Sequence, residues 1–111
     1  MKKSFDFSLR IIKLYKFLRS KKEFIISNQL LGSGTSIGAN IEEAVGGVSK
    51  KDFLNKITIA YKEARETSYW IKLLGASGYL DAIQSQSILM DCEELLRILG
   101  KIQISSKTDN P

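Results

Sequence analysis

Histidine is absent from this chain, cysteine occurs once and proline occurs once, at Pro111. Each scarcity excludes something. Without histidine the commonest general base is missing. The Glu-x-x-His ligand pairs that hold two metal ions inside a helix bundle cannot be built either. A lone Cys92 makes neither an internal disulfide nor a cysteine metal site. It points to a reducing, cytoplasmic setting. With proline confined to Pro111, no proline breaks a helix elsewhere, as a mostly helical chain requires. No run of about 18 apolar residues exists, so no membrane span is expected. Met1-Lys2-Lys3 is basic, but Asp6, Arg10 and Lys13 interrupt the apolar core that a secretory signal needs.

What is present is helical seam. The block Asp52 to Leu74 places Phe53, Ile57, Ala60, Ala64, Thr67, Ile71 and Leu74 at alternating steps of four and three, the spacing of a helix face turned towards other helices. A chain of 111 residues, 43% apolar and 26% charged, fits one soluble domain over 1–111. Helix one is expected from about Phe5 to Ser20, capped by Ser4, with Phe7, Ile11, Leu14 and Leu18 as its stripe and Ile12, Tyr15 and Phe17 widening it. Helix two is expected from about Glu23 to Ala44 or Val45, because Ile26, Leu30, Ile37 and Ile41 keep helical steps. Gly32, Gly34 and Gly38 each cost that helix about 1 kcal/mol relative to alanine, so close backbone approach is expected there. Ser49 caps helix three, which reaches about Leu74, with a Lys62–Glu66 pair on its surface. Gly75 and Gly78 bracket a turn. Asp81 caps helix four, which runs from about Ala82 to Ile104 with Ile88, Cys92, Leu95, Leu99 and Ile102 on its seam. The polar tail, 105–111, is expected to fray. Short turns between four such helices give an all-α, antiparallel, up-down-up-down four-helix bundle.

The charge is uneven. Residues 1–22 carry eight basic groups and one acidic, +7; the rest carries nine basic and eleven acidic, −2. Such asymmetry attracts nucleic acid or an anionic surface, or simply solubilises a face. Arg10, Lys13, Lys16 and Arg19 step by three and fan around helix one; they are the candidate nucleic-acid contacts. Ser36, Asn40 and Glu43 share a face beside Ile37 and Ile41. They read as a buried polar network that fixes helix register, with Lys62 and Arg65 as its partners. Tyr61, Tyr69, Trp70 and Tyr79 interleave with Lys56, Lys62, Arg65 and Lys72. Aromatics among cations can stack bases, but at helical spacing they more often form core or subunit interface, and Tyr69 and Trp70 are assigned to an interface. GSGTSIG at Gly32 to Gly38 resembles a dinucleotide fingerprint only loosely and lacks the strand that motif requires. Glu42, Glu43, Glu63, Glu66, Glu93 and Glu94 lie on three helices as solvated charges. No catalytic residue, metal site or cofactor is expected.

Two stretches carry a resemblance. QLLGSGTSIGANIEEA at Gln29 to Ala44 contains Ser36, Ile37, Asn40, Ile41 and Glu43 in a Ser-Ile-x-x-Asn-Ile-x-Glu pattern. SKKDFLNKITIAYKEARETSYWIKLL at Ser49 to Leu74 contains Lys62, Glu63, Ala64, Glu66, Thr67, Tyr69 and Trp70. Together they resemble the four helix bundle protein family, also called 23S rRNA intervening-sequence or S23-like proteins, over nearly the whole chain. The resemblance implies a left-handed bundle assembled as a ring, a homopentamer. It also implies kinship with the accessory protein of diversity-generating retroelements, a basic pentamer that binds nucleic acid and a reverse transcriptase. Many members carry an arginine where this chain has Gly32. If that arginine contributes to a basic surface in the family, the resemblance implies a weaker one here, for which the cations of helix one are expected to compensate.

The expectation is a non-enzymatic oligomeric bundle that binds RNA, or DNA, through Arg10, Lys13, Lys16 and Arg19. The alternative is a scaffold for a protein partner, with no nucleic-acid affinity of its own.

Overall fold

Uninterrupted apolar spacing becomes four helices in the computed structural model, which describes residues 1–108. They are α1 (Lys2–Ser20), α2 (Ile25–Val45), α3 (Lys50–Ala76) and α4 (Ala82–Thr108). The cross-helix contacts fix their directions. Gly34 of α2 meets Ile11 of α1, and Gly38 meets Ser8 and Ser4. Thr67 of α3 bonds Ser33 of α2, while Lys56 pairs with Glu43. Cys92 of α4 bonds Ala64 of α3, while Gln103 bonds Thr58. Residue numbers rise on one helix as they fall on the next, so every neighbouring pair is antiparallel. Helix α4 then returns beside α1 to close an up-down-up-down bundle of 50 × 21 × 21 Å. The α1–α4 edge is the thinnest of the four, and the backbones of the diagonal helices do not approach each other.

The expected seams form the core, with Leu14, Ile26, Phe53 and Ile102 half-buried against its edge. Phe7, Ile11 and Leu18 of α1, Leu30, Ile37 and Ile41 of α2, Ile57, Ala60, Ala64, Thr67, Ile71 and Leu74 of α3, and Ile88, Cys92, Leu95 and Leu99 of α4 are all buried. The glycine argument holds at two of three positions. A Cβ on Gly34 would sit 2.8 Å from both Cγ1 and Cγ2 of Ile11, and one on Gly38 would sit 3.2 Å from the Ser8 hydroxyl. Gly32 has nothing within 4 Å, so no packing demand explains it.

The helix ends differ from the expectation, each for a local reason. Helix α1 starts at Lys2, not Phe5. Ser4 lies inside its first turn and donates to the Met1 carbonyl at 2.9 Å instead of capping. Helix α2 starts at Ile25. Glu23, just outside it, accepts from the amides of Ile26 at 3.2 Å and Ser27 at 2.6 Å, an acidic cap at the positive end of the helix. Between α1 and α2, Lys22 adopts φ +63°, and amides reach back from Glu23 to Leu18 and from Lys22 to Arg19. That is the Schellman pattern, with lysine where glycine is usual. Ser49 caps α3 as expected, accepting from the Asp52 amide at 3.0 Å. Gly75 belongs to α3 and not to the turn, while Gly78 supplies the left-handed residue at φ +88°. Asp81 and Gln84 exchange side-chain bonds to each other's amides, a reciprocal capping box that opens α4. Helix α4 continues through 105–108, which were expected to fray. The remainder of that tail, 109–111, lies outside the described residues. No described helix is long and apolar enough to cross a membrane.

Candidate nucleic-acid interface

The four cations assigned to α1 do not act alike. Arg10 is committed across the thin edge of the bundle. Its Nη1 reaches Asp91 Oδ2 at 2.6 Å, and its Nη2 donates to the Ser87 hydroxyl at 3.1 Å. Lys3 pairs with Glu94 at 3.2 Å on the same edge. Lys13 and Lys16 are exposed and make no ion pair among the described residues. Arg19 is exposed and holds its guanidinium 5.4 Å from the Tyr15 ring centre and 4.9 Å from that of Phe24. Such stacking orients the charge without neutralising it. Three of the four cations therefore present a net positive surface, while Arg10 serves as a clasp between α1 and α4.

The polar set on α2 is not assembled as expected. Ser36 donates to the Gly32 carbonyl at 2.6 Å, and Asn40 Nδ2 donates to the Ser36 carbonyl at 2.8 Å, so both bond within their own helix. Glu43 pairs with Lys56 at 3.5 Å. Lys62 and Arg65 are exposed and join none of these bonds. The buried polar link between α2 and α3 is instead Thr67, whose hydroxyl lies 2.9 Å from that of Ser33. Thr67 stood on the apolar seam of α3 by its spacing, and its hydroxyl was the signal that this position bonds as well as packs. The Lys62–Glu66 pair is also absent among the described residues; Glu66 accepts from Trp70 Nε1 at 3.1 Å. Trp70 packs against the core, whereas Tyr69 is 59% exposed and meets the Trp70 ring edge to face, centroids 5.1 Å apart.

Two titratable groups are displaced. Burial, with a smaller push from Glu66 and against an opposing pull from Lys62, raises the Glu63 carboxyl above its ordinary value. Burial first, and Glu93 second, push the Cys92 thiol up to about 12 against a pull from Lys72. That thiol donates to the Ala64 carbonyl at 3.3 Å. It is a small core residue and not a nucleophile.

A further surface was not read from the sequence. Phe5, Leu9 and Ile12 are 65%, 46% and 37% exposed. With Met1, and with Thr35, Gly38 and Ala39 of α2, Phe5 and Ile12 line an open apolar groove of about 600 Å³. Their i, i+4, i+7 spacing was the available signal, but it was taken up by the broader stripe to which Ile12 was assigned.

The model of the 23S rRNA-intervening sequence protein family matches residues 1–101. The chain belongs to that family. Among solved structures, a protein of unknown function from the S23 ribosomal protein family of Bacteroides thetaiotaomicron VPI-5482 shares 50% identity with it, at a TM-score of 0.90. The match covers 92% of this chain and 95% of that one. No functionally curated protein matches. The two findings agree with the resemblance read from Gln29 to Ala44 and from Ser49 to Leu74, and Gly32 faces open space in this fold.

Proposed function

We propose that this member of the 23S rRNA-intervening sequence protein family is a non-enzymatic, oligomeric accessory protein that binds RNA. The observation that carries the reading is the exposed Lys13 and Lys16, unpaired among the described residues and flanked by Arg19, on a segment of net charge +7. Contacts of this kind go to phosphates, so binding is weakly sequence-specific and strongly salt-dependent. The groove at Met1, Phe5 and Ile12 suits contact between copies, because exposed apolar surface of this kind marks interaction sites. The family resemblance makes a pentameric ring the expected assembly.

Reversing Lys13, Lys16 and Arg19 to glutamate tests the reading while leaving the Arg10 clasp intact. Binding of nuclease-treated protein to structured RNA, measured across a salt series, should be lost in this variant. Unchanged affinity would sink the proposal. The groove also favours a second reading, a scaffold for a protein partner. In that case the wild type binds no RNA at low salt, and partners captured by the protein persist after nuclease treatment.

A further inference from the structure

The outward face of α3 is a second basic stripe, and it carries an aromatic ring. Opposite the buried seam, Lys51, Asn55, Thr58, Lys62, Arg65, Tyr69 and Lys72 follow one another at steps of four and three, so they share one side of the helix. All but the half-buried Thr58 are exposed. None of Lys51, Lys62, Arg65 and Lys72 takes part in an ion pair among the described residues. Of the acidic neighbours, Glu66 lies at the edge of the stripe and is committed to Trp70 Nε1. Glu63 lies further round, half-buried, towards the core. The cations from Lys62 to Lys72 span about 15 Å at the ordinary helical rise. Within them Tyr69 makes no hydrogen bond among the described residues. Its ring is braced edge to face by Trp70, itself fixed by packing and by the bond to Glu66. A braced, exposed aromatic ring between unpaired cations is the arrangement that holds single-stranded nucleic acid. The cations take phosphates and the ring takes a base.

We propose that this face of α3 binds a single-stranded RNA segment, with phosphates on Lys62, Arg65 and Lys72 and one base stacked on Tyr69. The inference rests on the RNA-binding reading and adds to it a separate site. Helices α1 and α3 are diagonal in the bundle and their backbones do not approach, so the two basic surfaces face away from each other. The α1 surface offers charge for phosphates in general. The α3 surface adds a means of preferring unpaired bases.

The test uses the full chain, a short oligouridylate and an abasic ribose-phosphate oligomer of equal length. Trp70, the single tryptophan, reports events at Tyr69 through its fluorescence. Oligouridylate should change that fluorescence and the abasic oligomer should not. Tyr69→Ala should weaken oligouridylate binding about tenfold, within the range known for one stacked base, and leave the abasic oligomer unaffected. Tyr69→Phe should restore wild-type affinity. Reversing Lys62, Arg65 and Lys72 to glutamate should weaken both ligands and reduce the salt slope by about 2. If Tyr69→Ala binds oligouridylate as the wild type does, the inference is overturned. A loss of binding on reversal of α1 with no effect on α3 overturns the α3 site alone and leaves the RNA reading standing. If the wild type binds neither oligomer nor structured RNA at low salt, both fail. A fall in particle mass on Tyr69→Ala, seen by light scattering without RNA, would make this face a contact between copies and would also overturn the inference.

Discussion

Substituting alanine for Gly34 should destabilise the bundle even though alanine is the better helix former. In isolation the exchange favours the helix by about 1 kcal/mol. At Gly34 the new methyl would lie 2.8 Å from Cγ1 and Cγ2 of Ile11 and 3.0 Å from its Cδ1. Ile11 is wholly buried, so its branched side chain has nowhere to turn, and α1 must move off α2. Overpacking of this kind costs about 1 to 3 kcal/mol, which at least cancels the propensity gain and leaves a net loss of up to about 2 kcal/mol. Gly32→Ala is the control on the same helix. Open space surrounds it, so only the propensity term acts and the variant should be more stable than wild type. The assay is urea unfolding followed by far-UV circular dichroism, at one protein concentration so that mass action is the same for every variant. A double variant, Gly34→Ala with Ile11→Ala, should be more stable than the sum of the two single losses implies, because removing the isoleucine branches removes the clash. A Gly34→Ala protein as stable as Gly32→Ala would refute the reasoning.

Three further outcomes are expected. Glu63 has a raised pKa in the fold, so its neutral form is favoured there. The associated stability is present below the ordinary value of 4.5 and is lost as pH rises through the raised value. Glu63→Gln should therefore be more stable than wild type at neutral pH and indistinguishable from it in acid, as read from melting temperatures across a pH series. Cys92, with its thiol pushed up from 9.0 to about 12, should resist a thiol reagent in the native protein and react fully in denaturant; rapid native labelling would place it outside the core. Asp81→Ala should cost about 1 kcal/mol, because it removes the acceptor for the Gln84 amide at 2.7 Å, and Asp81→Asn should recover most of that in the same unfolding assay.

The core was legible because burial follows spacing. Ile57, Ala60, Ala64, Thr67, Ile71 and Leu74 repeat at helical steps, and all are buried. Helix ends were less legible, since several amides can compete for one cap. Ser4 had the right side chain in the wrong place, and Glu23, placed inside α2, acts from outside it. The candidate site was least legible because cross-helix pairing depends on rotation between helices, which no single helix encodes. Glu43 meets Lys56 in place of Lys62 or Arg65, and Arg10 meets Asp91, 81 positions away. Exposed apolar residues such as Phe5 and Leu9 share the spacing of core residues, and only the packed bundle separates the two.

The thin edge between α1 and α4 bears on how the chain reaches this state. The extensive contacts all join helices consecutive in the sequence, while the pairing of first with last is sparse and includes the ion pairs Arg10–Asp91 and Lys3–Glu94. Local connectivity of this kind folds quickly. Each helix can dock on its predecessor as it leaves the ribosome, with no long loop held open to await a distant partner. The closing contact is then expected to form after the main barrier has been crossed. Loosening it by Arg10→Ala should speed unfolding and leave the refolding rate nearly unchanged, so the ion pairs on that edge act as a latch on the lifetime of the native bundle.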